Sequence, residues 1–234
     1  MARLPRLYAP GIPQLVQARF ARPLATPQDP TPSEHLDQLQ QWLATEVKPR
    51  GVALHGWAIL PDRIVLLATP DEARAIPQVM QGMGRRMAAR LTHGRAFEGR
   101  YRGALVAESW LLNTLIWLES VAVHTGLVHD PVYWPWSSAA EHVGRKPDAG
   151  LLSDHSAYWS LADTPYARQA RYLERLQSGL GQSTSSRIEQ ALFGQWALGD
   201  NDFTMALGAR ASRRVAPAPR GRPRKESKGE RGTN

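Results

Sequence analysis

Val52-Ala-Leu-His-Gly-Trp-Ala-Ile-Leu-Pro-Asp-Arg-Ile-Val-Leu-Leu-Ala-Thr69 is the most informative stretch of this 234-residue chain. Two runs rich in branched and aromatic residues, Val52 to Leu60 and Ile64 to Thr69, flank Pro61-Asp62-Arg63. Such side chains favour extended backbone and Pro-Asp favours a reversal, so the stretch predicts a β-hairpin. Upstream, residues 13–19 alternate as a first strand does. After a proline-rich connection from Pro23 to Pro32, Thr31-Pro-Ser-Glu34 reads as a capping box that opens a helix. Leu36, Leu39, Leu43 and Val47 recur at helical spacing, and Pro49-Arg-Gly51 ends the run. Downstream, Ile76, Val79, Met83, Met87 and Leu91 form the stripe of a second helix over residues 75–92, with Gly94 as its stop. A short strand over Gly103 to Ala107 follows. Strand, helix, strand, strand, helix, strand is the order of an α+β fold, the ferredoxin-like split βαβ sheet.

Beyond this unit the pattern predicts a third long helix over residues 109–123, a loop over 131–136, and shorter helices near 165–177, 185–197 and 201–207. The expected organisation is a sheet-bearing domain over 1–135, a small helical C-terminal extension over 136–212, and a disordered basic tail over 213–234. Charge is distributed unevenly. The chain nets +8, and the segment from Gly208 onward holds nine basic residues against two acids, so nearly all the excess lies in the tail. A polycationic tail on a near-neutral body suits a polyanionic partner, nucleic acid above all; the alternative is a solubilising extension. Hydrophobic residues at 42% suffice for a core. With no cysteine, disulfides, zinc fingers and thiol nucleophiles are excluded. Neither a secretory leader nor a run of about 20 apolar residues is visible, so a cytoplasmic protein with no membrane partner is expected.

Several phrases, in order and spread over most of the chain, resemble the REP-associated tyrosine transposases, a branch of the single-tyrosine HUH endonucleases. They are the opening Met1-Ala-Arg-Leu-Pro-Arg-Leu-Tyr-Ala-Pro-Gly-Ile-Pro-Gln14, the hairpin from Leu54 to Leu67, and Phe97-Glu-Gly-Arg-Tyr101. Gly126-Leu-Val-His-Asp-Pro131, Trp134-Pro-Trp-Ser-Ser138, Trp196-Ala-Leu-Gly-Asp-Asn-Asp-Phe203 and Arg220-Gly-Arg-Pro-Arg-Lys225 complete the set. The resemblance implies metal-dependent strand cleavage, with Mg²⁺ or Mn²⁺ held by a histidine pair on a central strand. Alternate strand residues share a face, which aims both imidazoles at one ion. A helix-borne tyrosine would then attack the scissile phosphate and form a covalent intermediate.

At the positions matching that machinery this chain carries other residues. Arg63 and Val65 stand where the histidines belong, and Trp117 stands at the tyrosine. Guanidinium and valine offer a cation no lone pair, and an indole has no hydroxyl. No intact catalytic residue, no metal site and no cofactor are therefore expected, and DNA binding without cleavage is the favoured function. The alternative is an active DNA transposase or endonuclease that cuts single-stranded hairpins with relocated residues. A third reading is a gene product with no selected role, against which the intact core patterning weighs.

Candidate DNA contacts fall in two groups. Arg220, Arg222, Pro223, Arg224 and Lys225 resemble the core of an AT-hook, in which a thin extended chain carries arginines into the minor groove of A·T-rich duplex; a tail touching phosphates without preference is the plainer reading. Arg85, Arg86 and Arg90 on the second helix, with Arg95, Arg100 and Arg102 after it, match the region that lies beside the DNA hairpin in the family; a solvated helix face is the plainer reading there. Of eight tryptophans, Trp42, Trp57 and Trp117 fall at core positions, while Trp134 and Trp136 either stack on bases or pack. Tyr101 is expected to pack, and the seven histidines to be surface or satisfied core residues.

Overall fold

The computed structural model describes residues 5–26, 28–92, 94–147, 150–211 and 213–217. In chain order they form β1 (Gln14–Arg19), α1 (Ser33–Val47), β2 (Val52–Ile59), β3 (Arg63–Pro70), α2 (Ala75–Met87), β4 (Arg102–Val106), α3 (Glu108–Glu119) and α4 (Val121–His124). There follow α5 (Ala139–His142), α6 (Ser156–Trp159), α7 (Pro165–Ser178), α8 (Gln182–Gly194), β5 (Ala197–Leu198) and α9 (Asn201–Gly208). The sheet order β2-β3-β1-β4-β5 contains the antiparallel four-strand arrangement of the split βαβ fold. β5 adds to its edge in parallel with β4. The fold is thus α+β, as the order of elements predicts. No described helix is long and apolar enough to cross a membrane.

Each sheet face carries its own core. On one side α1 and α2 bring Leu36, Leu39, Leu43, Val79 and Met83 against Val16, Trp57, Ile59, Ile64 and Leu66. On the other, Leu111, Leu115 and Trp117 of α3 join Leu15, Val65 and Leu67, together with Tyr172 of α7 and Ile188 and Leu192 of α8. A register shift between Leu54 and Gly56 lets Leu54 and Trp57, three residues apart, face the same core. Gly56 also sets how closely α3 lies on the sheet: a Cβ there would come 2.3 Å from Leu115 Cδ1.

Several local expectations are corrected. The capping box at Thr31–Glu34 does not form. Pro32 takes the N-cap position of α1 and has no side-chain oxygen to offer, and no side-chain cap is made. The second helix is α-helical only to Met87; Ala88–Thr92 widen into a π-turn, which the Thr92 hydroxyl braces by donating to the Met87 carbonyl at 3.3 Å. The third helix breaks at Ser120 into α3 and α4. The stretch 131–136 is not plain loop, because Pro131–Tyr133 form a 3₁₀ turn capped by the Asp130 carboxylate, which accepts from Val132 N.

Candidate nucleic-acid interface

β1 and β3 determine what lies together at the predicted site. Their register pairs Arg19 with Arg63, Gln17 with Val65 and Leu15 with Leu67. Alternation then places Arg63 and Val65 on one face, the face that α3 covers. Val65 is fully buried and Trp117 nearly so, and both belong to one hydrophobic core. The three positions singled out in the sequence are therefore brought to the same side of the sheet.

Their chemistry does not fit a divalent cation. Val65 contributes only hydrocarbon. The Arg63 guanidinium is clasped by the carboxylate of its neighbour Asp62, with Nε 2.9 and 3.0 Å from the two oxygens and Nη2 2.7 Å from one. Arg19 approaches the same carboxylate at 3.6 Å. A metal ion would meet positive charge here and no donor set. Among the described residues no group of three or more His, Asp or Glu side chains is placed to hold a metal. The indole N–H of Trp117 is buried and has no hydrogen-bond partner among the described residues.

Above this part of the sheet lies a cleft of about 390 Å³, bordered by Gln17, Arg19, Arg63, Glu98, Gly99, Arg100, Arg102 and Phe193. Four guanidinium groups thus surround it, against the carboxylates of Glu98 and Asp62. Arg102 is anchored on the end of α8, donating to the Phe193 carbonyl at 3.0 Å with its guanidinium 5.5 Å from the ring centroid. Arg19 is more than half exposed and reaches Glu98 at only 3.9 Å, a contact that solvent weakens. Planar forks of this kind suit phosphate oxygens. Arg19 was missed in the sequence reading, although alternation along β1 puts it on the face of Gln17.

The other predicted residues divide. Arg85, Arg86 and Arg90 are exposed, but Arg86 is committed to α1, its Nε 3.0 Å from the buried Glu46 carboxylate. Arg50 binds that carboxylate from the other side at 2.7 Å. Arg90 sits in the π-turn, which takes it off the regular helical register shared by Arg85 and Arg86. Arg220, Arg222, Pro223, Arg224 and Lys225 lie outside the described residues.

Trp134, Trp136, Tyr101 and His55 prove structural. Trp134 and Trp136 pack edge to face at 5.0 Å, and both are buried. Their indoles donate to the Ile59 carbonyl at 3.0 Å and the Asp37 carboxylate at 2.8 Å, so packing, not base stacking, occupies them. Tyr101 is buried beneath Arg6, whose guanidinium lies 4.2 Å from the ring centroid. Burial pushes its phenol up to about 12 despite the nearby Arg6 and Arg100. His55 is held between the Ser153 carbonyl at 2.6 Å and the Thr69 hydroxyl at 2.8 Å. Desolvation lowers its pKa to about 4.

An unforeseen polar cluster is buried behind α3. Glu119, fully enclosed, accepts from Ser138 Oγ at 2.6 Å and Tyr172 OH at 2.8 Å, and pairs with His142 Nδ1 at 2.6 Å. Burial opposes a charged imidazole at His142, but the Glu119 charge and hydrogen bond outweigh it and the pKa is raised. The cluster ties α3, α5 and α7 together. Its partners lie too far apart in sequence to suggest one another.

No protein-family model matches the chain, and no curated protein matches it. Among solved structures it is similar to a REP-associated tyrosine transposase bound to a REP hairpin, at 16% identity and a TM-score of 0.49, over 67% of this chain and 96% of that one.

Proposed function

We propose that this protein binds DNA and does not cleave it. The observation that carries this reading is the arginine-lined cleft over the sheet; in our reading Arg63, Val65 and Trp117, at the positions that match the family's histidines and tyrosine, supply neither a metal ligand nor a nucleophile. A cleft rich in guanidinium groups attracts phosphates and repels the metal ion that cleavage would require. The polypeptide would use residues 1–135 as its DNA-contacting frame, residues 136–212 as a brace, and residues 213–234 as a basic arm. Its targets would be hairpin single strands or A·T-rich duplex, with Arg220, Arg222, Pro223, Arg224 and Lys225 entering the minor groove.

The test is incubation with labelled hairpin DNA and Mg²⁺ or Mn²⁺, read by denaturing gel and by gel shift. The expected result is a shifted band whose affinity falls steeply with salt, and no covalent adduct. Removing residues 213–234 should weaken binding and flatten the salt dependence. A protein–DNA adduct would overturn the proposal.

A further inference from the structure

A groove of about 750 Å³ opens on the α2 side of the sheet, between that helix and the chain from Arg95 to Tyr101. This lies within the roughly 300–1,000 Å³ usual for small-molecule sites. Its rim carries Arg6, Arg85, Arg95 and Arg100, and among the described residues no aspartate or glutamate lines it. Its inner surface is apolar, with Met80, Ala88, Ala96 and the half-buried ring of Phe97. Three features keep that ring in place and approachable. Phe20 supports it at 6.1 Å between centroids. Gly84 leaves the neighbouring helix surface bare, where a Cβ would lie 3.2 Å from the ring. Arg95 bridges back to the carbonyls of Phe97 and Glu98, which fixes a cation beside it.

Which ligand uses all of this follows from the chemistry. Inorganic phosphate would engage the rim and leave the apolar surface wet. A neutral apolar molecule would bury Phe97 and gain nothing from the guanidinium groups. A flat aromatic body joined to a phosphate satisfies both, by stacking on the ring and by charge-assisted hydrogen bonds. Gly99 and Arg100 also border the cleft on the other side of the sheet, so the two basic surfaces share one wall.

We propose that this groove takes a single unpaired nucleotide, its base against Phe97 and its phosphate against Arg85 and Arg100. The nucleotide comes either from a DNA strand that continues over the shared wall, a source that rests on the DNA-binding function proposed above, or from a free mononucleotide.

The test uses the full chain and fluorescence anisotropy with a labelled hairpin. Its single-stranded extension is absent, base-bearing, or abasic with the same number of phosphates. AMP and inorganic phosphate serve as competitors. A base-bearing extension should tighten binding at least tenfold over the blunt and abasic hairpins. Phe97→Leu should abolish that gain while leaving blunt-hairpin affinity within about twofold, and Phe97→Trp should restore it. Competition by AMP but not by phosphate, with no gain from the extension, would identify a free nucleotide as occupant. Equal affinity for abasic and base-bearing extensions, together with no AMP binding, overturns the proposal. Failure of every hairpin to bind refutes DNA binding, and AMP titration of wild type against Phe97→Leu then decides the groove alone.

Discussion

Replacing Glu119 by glutamine tests whether the buried cluster behind α3 holds the two halves of the chain together. The carboxylate is fully enclosed and meets His142, Ser138 and Tyr172 within 2.8 Å. Glutamine keeps the volume and removes the charge, which strands a buried imidazolium. Breaking a buried pair by deleting one partner costs about 3–5 kcal/mol. Glutamine keeps one acceptor oxygen, which can serve Ser138 or Tyr172 but not both because they donate to different carboxylate oxygens, so the low end, about 3 kcal/mol, is expected. In a protein of this size that lowers Tm by roughly 6–12 °C. The pH dependence follows from the raised pKa of His142. Its contribution is complete below the unfolded value of about 6.5 and is lost as pH rises through the higher native value. Urea unfolding followed by tryptophan fluorescence at pH 6 and pH 9 measures both. The gap between wild type and Glu119→Gln should be widest at pH 6 and narrower at pH 9. A gap below about 1 kcal/mol at pH 6, or the same gap at both pH values, would refute the reasoning.

Four further outcomes are expected. His55 has a pKa lowered to about 4 by burial, so wild-type stability should fall between pH 6.5 and 4 by on the order of 3 kcal/mol, and His55→Asn should flatten that slope in the same unfolding assay. Gly56→Ala should destabilise by about 1–3 kcal/mol, since its Cβ would meet the buried Leu115, and differential scanning calorimetry reads this as a lower Tm. Trp117→Ala should cost about 3–5 kcal/mol, whereas Trp117→Phe, which removes an indole N–H lacking a partner, should cost far less in denaturant titrations. Arg63→Ala and Arg102→Ala should each reduce the slope of log affinity against log salt by about 1 in gel shifts.

The sheet was legible because its hairpin carries the two-residue period of extended chain and its helices the longer period of Leu36-Leu39-Leu43 and Ile76-Val79-Met83. Only local pattern is needed for that. Register is a different matter. That Arg19 lies opposite Arg63 depends on pairing between strands more than forty residues apart, so one of the cleft's four arginines stayed invisible while Arg63, Arg100 and Arg102 were found from motif positions. The shift at Gly56 escaped for the same reason. Where local signals misled, a neighbour had overridden them: Pro32 displaced the expected cap on α1, and the π-turn after Met87 moved Arg90 off its helical face. Arg86 looked like a free contact because Glu46, its partner, lies on another helix. Tertiary pairing decides which charges are spent, and sequence spacing does not report it.

The two-residue strand β5 has a consequence for biosynthesis. On the edge of β4 that faces away from β1, Leu105 and Val106 pair with Ala197 and Leu198, and Ala107 N donates to the Leu198 carbonyl at 2.8 Å. Until those residues emerge, β4 presents an open rim to other molecules, for a period on the order of ten seconds at ordinary translation rates. Chains stopped before residue 197 would keep that rim permanently and should associate through it, which makes the late-arriving dipeptide a guard against self-assembly.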